Sequence, residues 1–256
     1  MTAFKGLYIK DLKLSFNGFI IGLFLIFFAM IASFALKEYF AEPSIPAIVS
    51  FIIIVLHVFY LPANLFTSLQ VEAQSQLWLH NPNRGWKLFL AKIAAGITYF
   101  VASLLVSIIL VKVFIVRTEY LGEFIGLSEM LSDHLYIMAG GMFLSSIYFT
   151  VWLLFYWTLY HALKRIPILN QIRWFVLLIV WLSVTILGNL ISKIPAVQDF
   201  KEMGTINFHD FTKELGENTI FPETAELHLT SIIISILITV GVFLTSVWIL
   251  ERKVEV

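Results

Sequence analysis

The chain contains no cysteine, so disulfides, thiolate metal sites and thiol nucleophiles are excluded together. Charge is nearly as scarce. Only 13% of residues are Asp, Glu, Lys or Arg, against roughly 25% in a soluble domain. The formal net charge is zero, which removes the basic footprint that nucleic-acid binding requires. The pattern Gly-x-x-x-x-Gly-Lys-Ser/Thr is absent, so no loop of that kind is present to cradle ATP. Adjacent glutamates, His-x-x-x-His and Gly-x-Ser-x-Gly are absent too, and with them the arrangements that an intramembrane protease or lipid-modifying enzyme would use. No Gly/Ser linker or low-complexity tract divides the chain, which reads as one membrane domain over residues 1–256.

What the chain does have is hydrocarbon. Hydrophobic residues make up 59% of it, with 24 phenylalanines and 7 tryptophans. Apolar runs at about 17–36, 46–69, 91–115, 135–160, 174–192 and 228–250 are each long enough to cross a core of about 30 Å as a helix. Backbone groups in lipid need internal partners, and continuous rather than alternating apolar runs exclude a β-barrel. The expected fold is therefore an all-α integral membrane protein with six transmembrane helices.

Charge sets the orientation. With the N-terminus, residues 70–92, residues 161–173 and the C-terminus on one side, that side carries 11 basic and 4 acidic residues; the other carries 6 and 13. The positive-inside rule makes the first side cytoplasmic, with both termini in. No Asp, Glu, Lys or Arg falls in the middle of a span, and Lys112 and Arg117 lie near a span end where they can snorkel. His57 is the one ionisable side chain within a span, read either as a neutral histidine bonded inside the bundle or as a proton relay. The basic start before Phe19–Leu36 is also compatible with a signal peptide, with Ser33-Phe34-Ala35 as a small-residue site. That run exceeds the usual signal core, so it is kept as the first span.

Ahead of it, Phe4, Leu7, Tyr8 and Leu12 fall on one helical face, with Lys5, Lys10, Asp11 and Lys13 assigned elsewhere. This spacing predicts an amphipathic elbow helix over 1–15 in the cytoplasmic interface; a plain basic tail is the alternative. The second span is expected to kink near Pro62. Asn81-Pro82-Asn83 and Gly85 are turn formers, so residues 70–92 read as helix, turn and re-entry, with Lys87 and Lys92 as basic anchors.

The order Glu72, Trp78-Leu79, Pro82, Lys92 resembles the first intracellular loop of ABC-2-type permeases, the membrane subunits of bacterial ATP-driven exporters. In that family an acid, a leucine pair, a proline and a lysine follow one another in this order. Ala73-Gln74 stands where Gly-Thr is usual, and Trp78 replaces one leucine. The resemblance extends over nearly the whole chain: six spans, cytoplasmic ends, an elbow helix and a larger external segment before the last span. It implies cytoplasmic P-loop ATPase subunits as partners, with ATP and Mg bound there and no cofactor or metal in this chain. It also implies a second permease copy or paralogue, contact with membrane lipid and no nucleic acid. Residues 70–92 would be the coupling helix, with Glu72, Trp78, Leu79, His80, Pro82 and Arg84 docking on the ATPase. Trp86 is a further candidate for the docking face; the alternative for Trp78 and Trp86 is a place in the interfacial aromatic belt, which for Trp86 reads equally well. The small, aromatic-rich chain looks most like Gram-positive exporters of peptides or other amphipathic compounds, located in the cell membrane. A non-transporting immunity or sensor protein is the alternative.

Residues 161–174, "HALKRIPILNQIRW", are either a second ATPase contact or a topology-setting turn near anionic lipid. Residues 193–227 are either short amphipathic helices at the external mouth or a solvated acidic loop; His209, Asp210 and Glu214 within them make no convincing metal site. Thr98, Ser103, Ser107, Ser183, Thr185 and Asn189 are uncharged groups suited to bonds between helices.

Because the chain is free of cysteine, single cysteines report topology directly. Cysteines at 165 and 253 should escape a membrane-impermeant maleimide on intact cells, and one at 210 should react. The reverse pattern would invert the orientation.

Overall fold

The computed structural model describes residues 3–75, 83–115, 135–202, 205–207 and 226–254. Six of its helices are long and apolar enough to cross a membrane, as a multi-pass membrane protein requires. The chain divides into two compact units, Met1–Leu153 and Leu154–Val256.

In the first unit, α1 covers Ala3–Phe40, 38 residues without a break. At 1.5 Å per residue it is roughly 57 Å long, well beyond the hydrocarbon thickness. The expected elbow over 1–15 is thus no separate element. No proline occurs before Pro43, so the helical ladder has no forced stop between the amphipathic turns and the apolar run. α1 ends at Ala41, whose φ is 53°, and the Glu42 N–H bonds Lys37 O at 3.2 Å. This is a Schellman-type stop with alanine in the left-handed position glycine usually takes.

The second span comprises α2 (Ile45–Leu56), a 3-10 turn (His57–Phe59) and α3 (Tyr60–Ser75). The irregularity expected at Pro62 lies just before it. Pro62 has no N–H to offer the Val58 carbonyl and its ring crowds that oxygen. The preceding turn therefore tightens, and the Tyr60 N–H bonds His57 O. α4 (Gly85–Ile115) packs against α1, α2 and α3. Leu61, Phe100 and Leu104 form a buried cluster with Tyr60, Ile97, Phe143 and Ile147 around them. Ala47, Ile54 and Val111 form another cluster, and Leu7, Leu88 and Ala91 a third. α5 (Leu135–Leu163) begins in this unit and continues into the second.

The second unit continues with α6 (Pro167–Ser192) and α7 (Pro195–Glu202). Pro167 opens α6 after an extended Ile166, where its missing N–H costs nothing. Arg173 lies over the Tyr160 ring at 4.3 Å, and Tyr160 meets Trp174 at 5.0 Å, pinning the two sides of the 161–174 connection. Within residues 193–227, α7 supplies one short helix. Two strands the sequence did not suggest follow: β1 (Thr205–Asn207) pairs antiparallel with β2 (Glu226–His228), Thr205 opposite His228. His209, Asp210 and Glu214 lie outside the described residues. α8 (Leu229–Ile249) ends in a π-helical turn at Leu250–Val254.

Gly96 marks the close approach of α3 and α4. A methyl group there would sit 2.5 Å from Leu61 Cδ1, and Leu61 is fully buried. Gly96→Ala should therefore cost about 1–3 kcal/mol, read as a lowered thermal midpoint in mild detergent. An unchanged midpoint would show that Leu61 has room to turn away.

Candidate functional site

Residues 4, 7, 8 and 11 recur at helical spacing on α1, which puts Asp11 on the same face as Leu7. Both are buried. Ser68 and Glu72, four residues apart on α3, also share a face, and Lys92 enters from the second turn of α4. These three helices bring an ammonium group among oxygens. Lys92 Nζ donates to Asp11 Oδ1 and Ser68 Oγ at 2.9 Å each and pairs with Glu72 Oε1, also at 2.9 Å. An ammonium has three protons, and these three oxygens account for all of them. Lys10 closes the network from its rim: it bonds Glu72 and lies 3.7 Å from Asp11.

Two carboxylates and two ammonium groups balance in charge, which lets the cluster be buried. The Lys92 and Asp11 side chains are 2% and 3% exposed, whereas Lys10 is 43% exposed. Desolvating an ion costs several kcal/mol, recovered only where geometry is good and remaining protons find acceptors; here they do. Further polar ties hold the same stretch of α1. Tyr8 and Thr98 hydroxyls bond at 2.8 Å, Ser15 Oγ donates to Asn64 Oδ1 at 3.1 Å, and Tyr99 Oη donates to Leu12 O at 2.9 Å. The amphipathic start of α1 is therefore fastened to α3 and α4 by a row of specific bonds.

Three residues thus stand differently from their sequence reading. Glu72, expected on an exposed docking face, is buried and faces Lys92 and Lys10. Lys92, expected as an anchor at the lipid headgroups, is inside the ion network. Asp11, assigned away from the apolar face, lies on it because position 11 continues the series 4, 7, 8. Ser68 carries no sequence signal that marks it, and Lys10, read only as part of the polar face of the amphipathic start, is the rim of the network. Arg84 is exposed, and its carbonyl accepts from the Lys87 N–H at 3.0 Å at the start of α4. Trp86 is 39% exposed beneath the Lys87 ammonium, 5.5 Å from its ring. Trp78, Leu79, His80 and Pro82 lie outside the described residues.

Deeper in the same unit, His57 Nδ1 is 2.8 Å from Ile53 O. A carbonyl only accepts, so Nδ1 carries a proton, leaving Nε2 of the neutral ring to accept from Ser103 Oγ at 3.1 Å. Ser107 Oγ donates to Ser103 O at 3.1 Å. Both ring nitrogens are thus satisfied within the bundle, at the point where the second span changes helix type. Among the described residues, no group of three or more His, Asp or Glu side chains is placed to hold a metal.

The arrangement is a joint rather than a ligand cradle, since the Lys92 protons are already spent. It ties together the chain on both sides of residues 76–82 and fastens that root to α1. Lys92→Met leaves two buried carboxylates with only the rim ammonium of Lys10 between them and should destabilise the protein by about 3–5 kcal/mol. Lys10→Met, at the half-exposed rim, should cost under about 1 kcal/mol. Thermal unfolding of the two variants in one detergent checks the order, and equal losses would contradict it.

No family model matches the chain, and no solved structure matches it. It is similar over its full length to the Bacillus subtilis (strain 168) protein YhcE, described as uncharacterized, with 27% identity over 267 residues and all of both chains covered.

Proposed function

We propose that this chain is the membrane subunit of an ATP-driven exporter, resembling ABC-2-type permeases, in the bacterial cell membrane with both termini cytoplasmic. A separate cytoplasmic P-loop ATPase hydrolyses ATP, and a second copy or a paralogue completes the translocation path. The cargo class is amphipathic or hydrophobic: a peptide toxin, an antimicrobial peptide or a lipid-like molecule.

The observation that carries this reading is the ion network at the root of residues 70–92. Glu72 lies near the start of the segment and Lys92 at its end, and Lys92 pairs with both Glu72 and Asp11 of α1. A force applied to this segment by a docked ATPase reaches the ends of α3 and α4 together and, through Asp11, enters α1. Exposed Arg84 and half-exposed Trp86 are suited to the docking face, since Arg and Trp are common interface anchors. Glu72 has a different role here: as a positioning residue, it holds the root of the segment so that docking moves helices rather than only the loop.

The test is purification of the full chain from its host in mild detergent, with co-purifying proteins identified by mass. A stoichiometric soluble partner carrying a Walker A loop is expected. Arg84→Glu should sharply reduce its recovery. Glu72→Gln should leave recovery intact and lower the ATPase stimulation that cargo produces. Absence of any ATPase across several gentle detergents would sink the exporter reading and favour an immunity or sensor protein.

A further inference from the structure

A groove of about 380 Å³ opens on the first unit where α1 faces the 3-10 turn of the second span. Its α1 wall includes Gly22, Ile26 and Ala29, and its opposite wall includes Leu56, Phe59 and Tyr60. We propose that this groove is a lipid-binding site that holds one acyl chain of a bilayer phospholipid. The proposal is independent of how, or whether, the chain is driven by ATP.

Depth is the first argument. Gly22–Ala29 lies in the middle of the apolar run of α1, with Lys13 before it and Lys37 after it. Ile53–Tyr60 is similarly central in the second span. Hydrocarbon, not water, surrounds a groove at that level.

Lining is the second argument. A buried water needs two or more polar partners, and this groove provides none. Its polar side chains are His57, whose imidazole nitrogens are turned to Ile53, Ser103 and Ser107, and Tyr60, whose hydroxyl is buried away from the groove surface. An occupant must therefore be apolar along its length, as an acyl chain is.

Shape is the third. Gly22 withholds a side chain where α1 passes Tyr60; a methyl there would reach Tyr60 Cε2 at 3.8 Å. On the other wall, Pro62 forces the tightened turn that hollows the second span. A chain lying between the two walls gains dispersion contacts on both sides. A chain on the outward face of α1, over Phe24, Phe28 and Ile31, touches one side only. The volume falls within the roughly 300–1,000 Å³ of small-molecule sites.

The test uses the full chain in phosphatidylcholine/phosphatidylglycerol vesicles doped with a phospholipid carrying a diazirine midway along one acyl chain. After irradiation, peptide mapping should show several-fold more label per residue on Gly22, Ile26, Ala29, Leu56, Phe59 and Tyr60 than on Phe24, Phe28 and Ile31. Gly22→Leu and Ala29→Phe each fill the groove and should remove that excess without changing the label on the outward face. That face also serves as the control for correct insertion. Equal labelling of groove and outward face in the wild-type chain would overturn the proposal without recourse to any variant. So would an excess that survives both fillings.

Discussion

The Lys92 ammonium is the constraint from which one end of the first unit is built. A charged amine with 2% of its side chain exposed cannot remain there unless every proton has an acceptor and opposite charge stands close by. Asp11, Glu72 and Ser68 meet that need from two other helices, and each is thereby restricted in turn. Asp11 must sit on the packed face of α1, so the amphipathic start of that helix is drawn onto α3 and α4. Ser68 and Glu72 must share one face of α3, so that helix stays regular to its last turn. Tyr8, Ser15 and Tyr99 add neutral bonds along the same seam. These supply direction more than energy, because a neutral hydrogen bond contributes only about 0.5–1.5 kcal/mol net.

Farther into the membrane, the governing constraint is backbone satisfaction. Proline within a span is tolerated where a local 3-10 adjustment and neighbouring helices satisfy the freed backbone groups. The 3-10 turn at His57–Phe59 meets that condition on one side through buried His57, which accepts from Ser103 on α4, and opens on the other toward α1. One proline therefore has two effects. It tightens the preceding turn, and it sets an imidazole where its nitrogens join two spans.

Much of the architecture is legible from the chain alone, for identifiable reasons. Six spans follow from uninterrupted apolar runs, because length and hydropathy suffice to mark a helix that crosses lipid. The irregular second span follows from Pro62, although the disturbance falls on the residues whose carbonyl the ring crowds rather than on proline itself. Asp11 was readable in principle: a single acid at position 11 in the series 4, 7, 8 breaks an apolar face, and such an acid needs a partner. That the partner is Lys92, 81 residues away, was not readable, because hydropathy treats every lysine near a span end as a snorkelling group. The docking role of Glu72 rests on the resemblance, and a motif match carries no information about burial. The three-residue strand pair was hidden for another reason: Thr205–Asn207 and Glu226–His228 are too short to carry an alternating pattern.

α1 has one more consequence. An unbroken α-helix from Ala3 to Phe40 resists both bending and twisting, so a rotation imposed near Asp11 arrives at Tyr39 and Phe40 nearly undiminished. The second span has the same root but a weak point halfway along, where its hydrogen-bond ladder changes at His57–Phe59. The two spans therefore answer a single push in different ways. The first behaves as an axle, carrying torque from one membrane surface toward the other. The second behaves as a crank that yields at mid-height, so displacement at one face and stillness at the other can coexist within one pair of neighbouring helices.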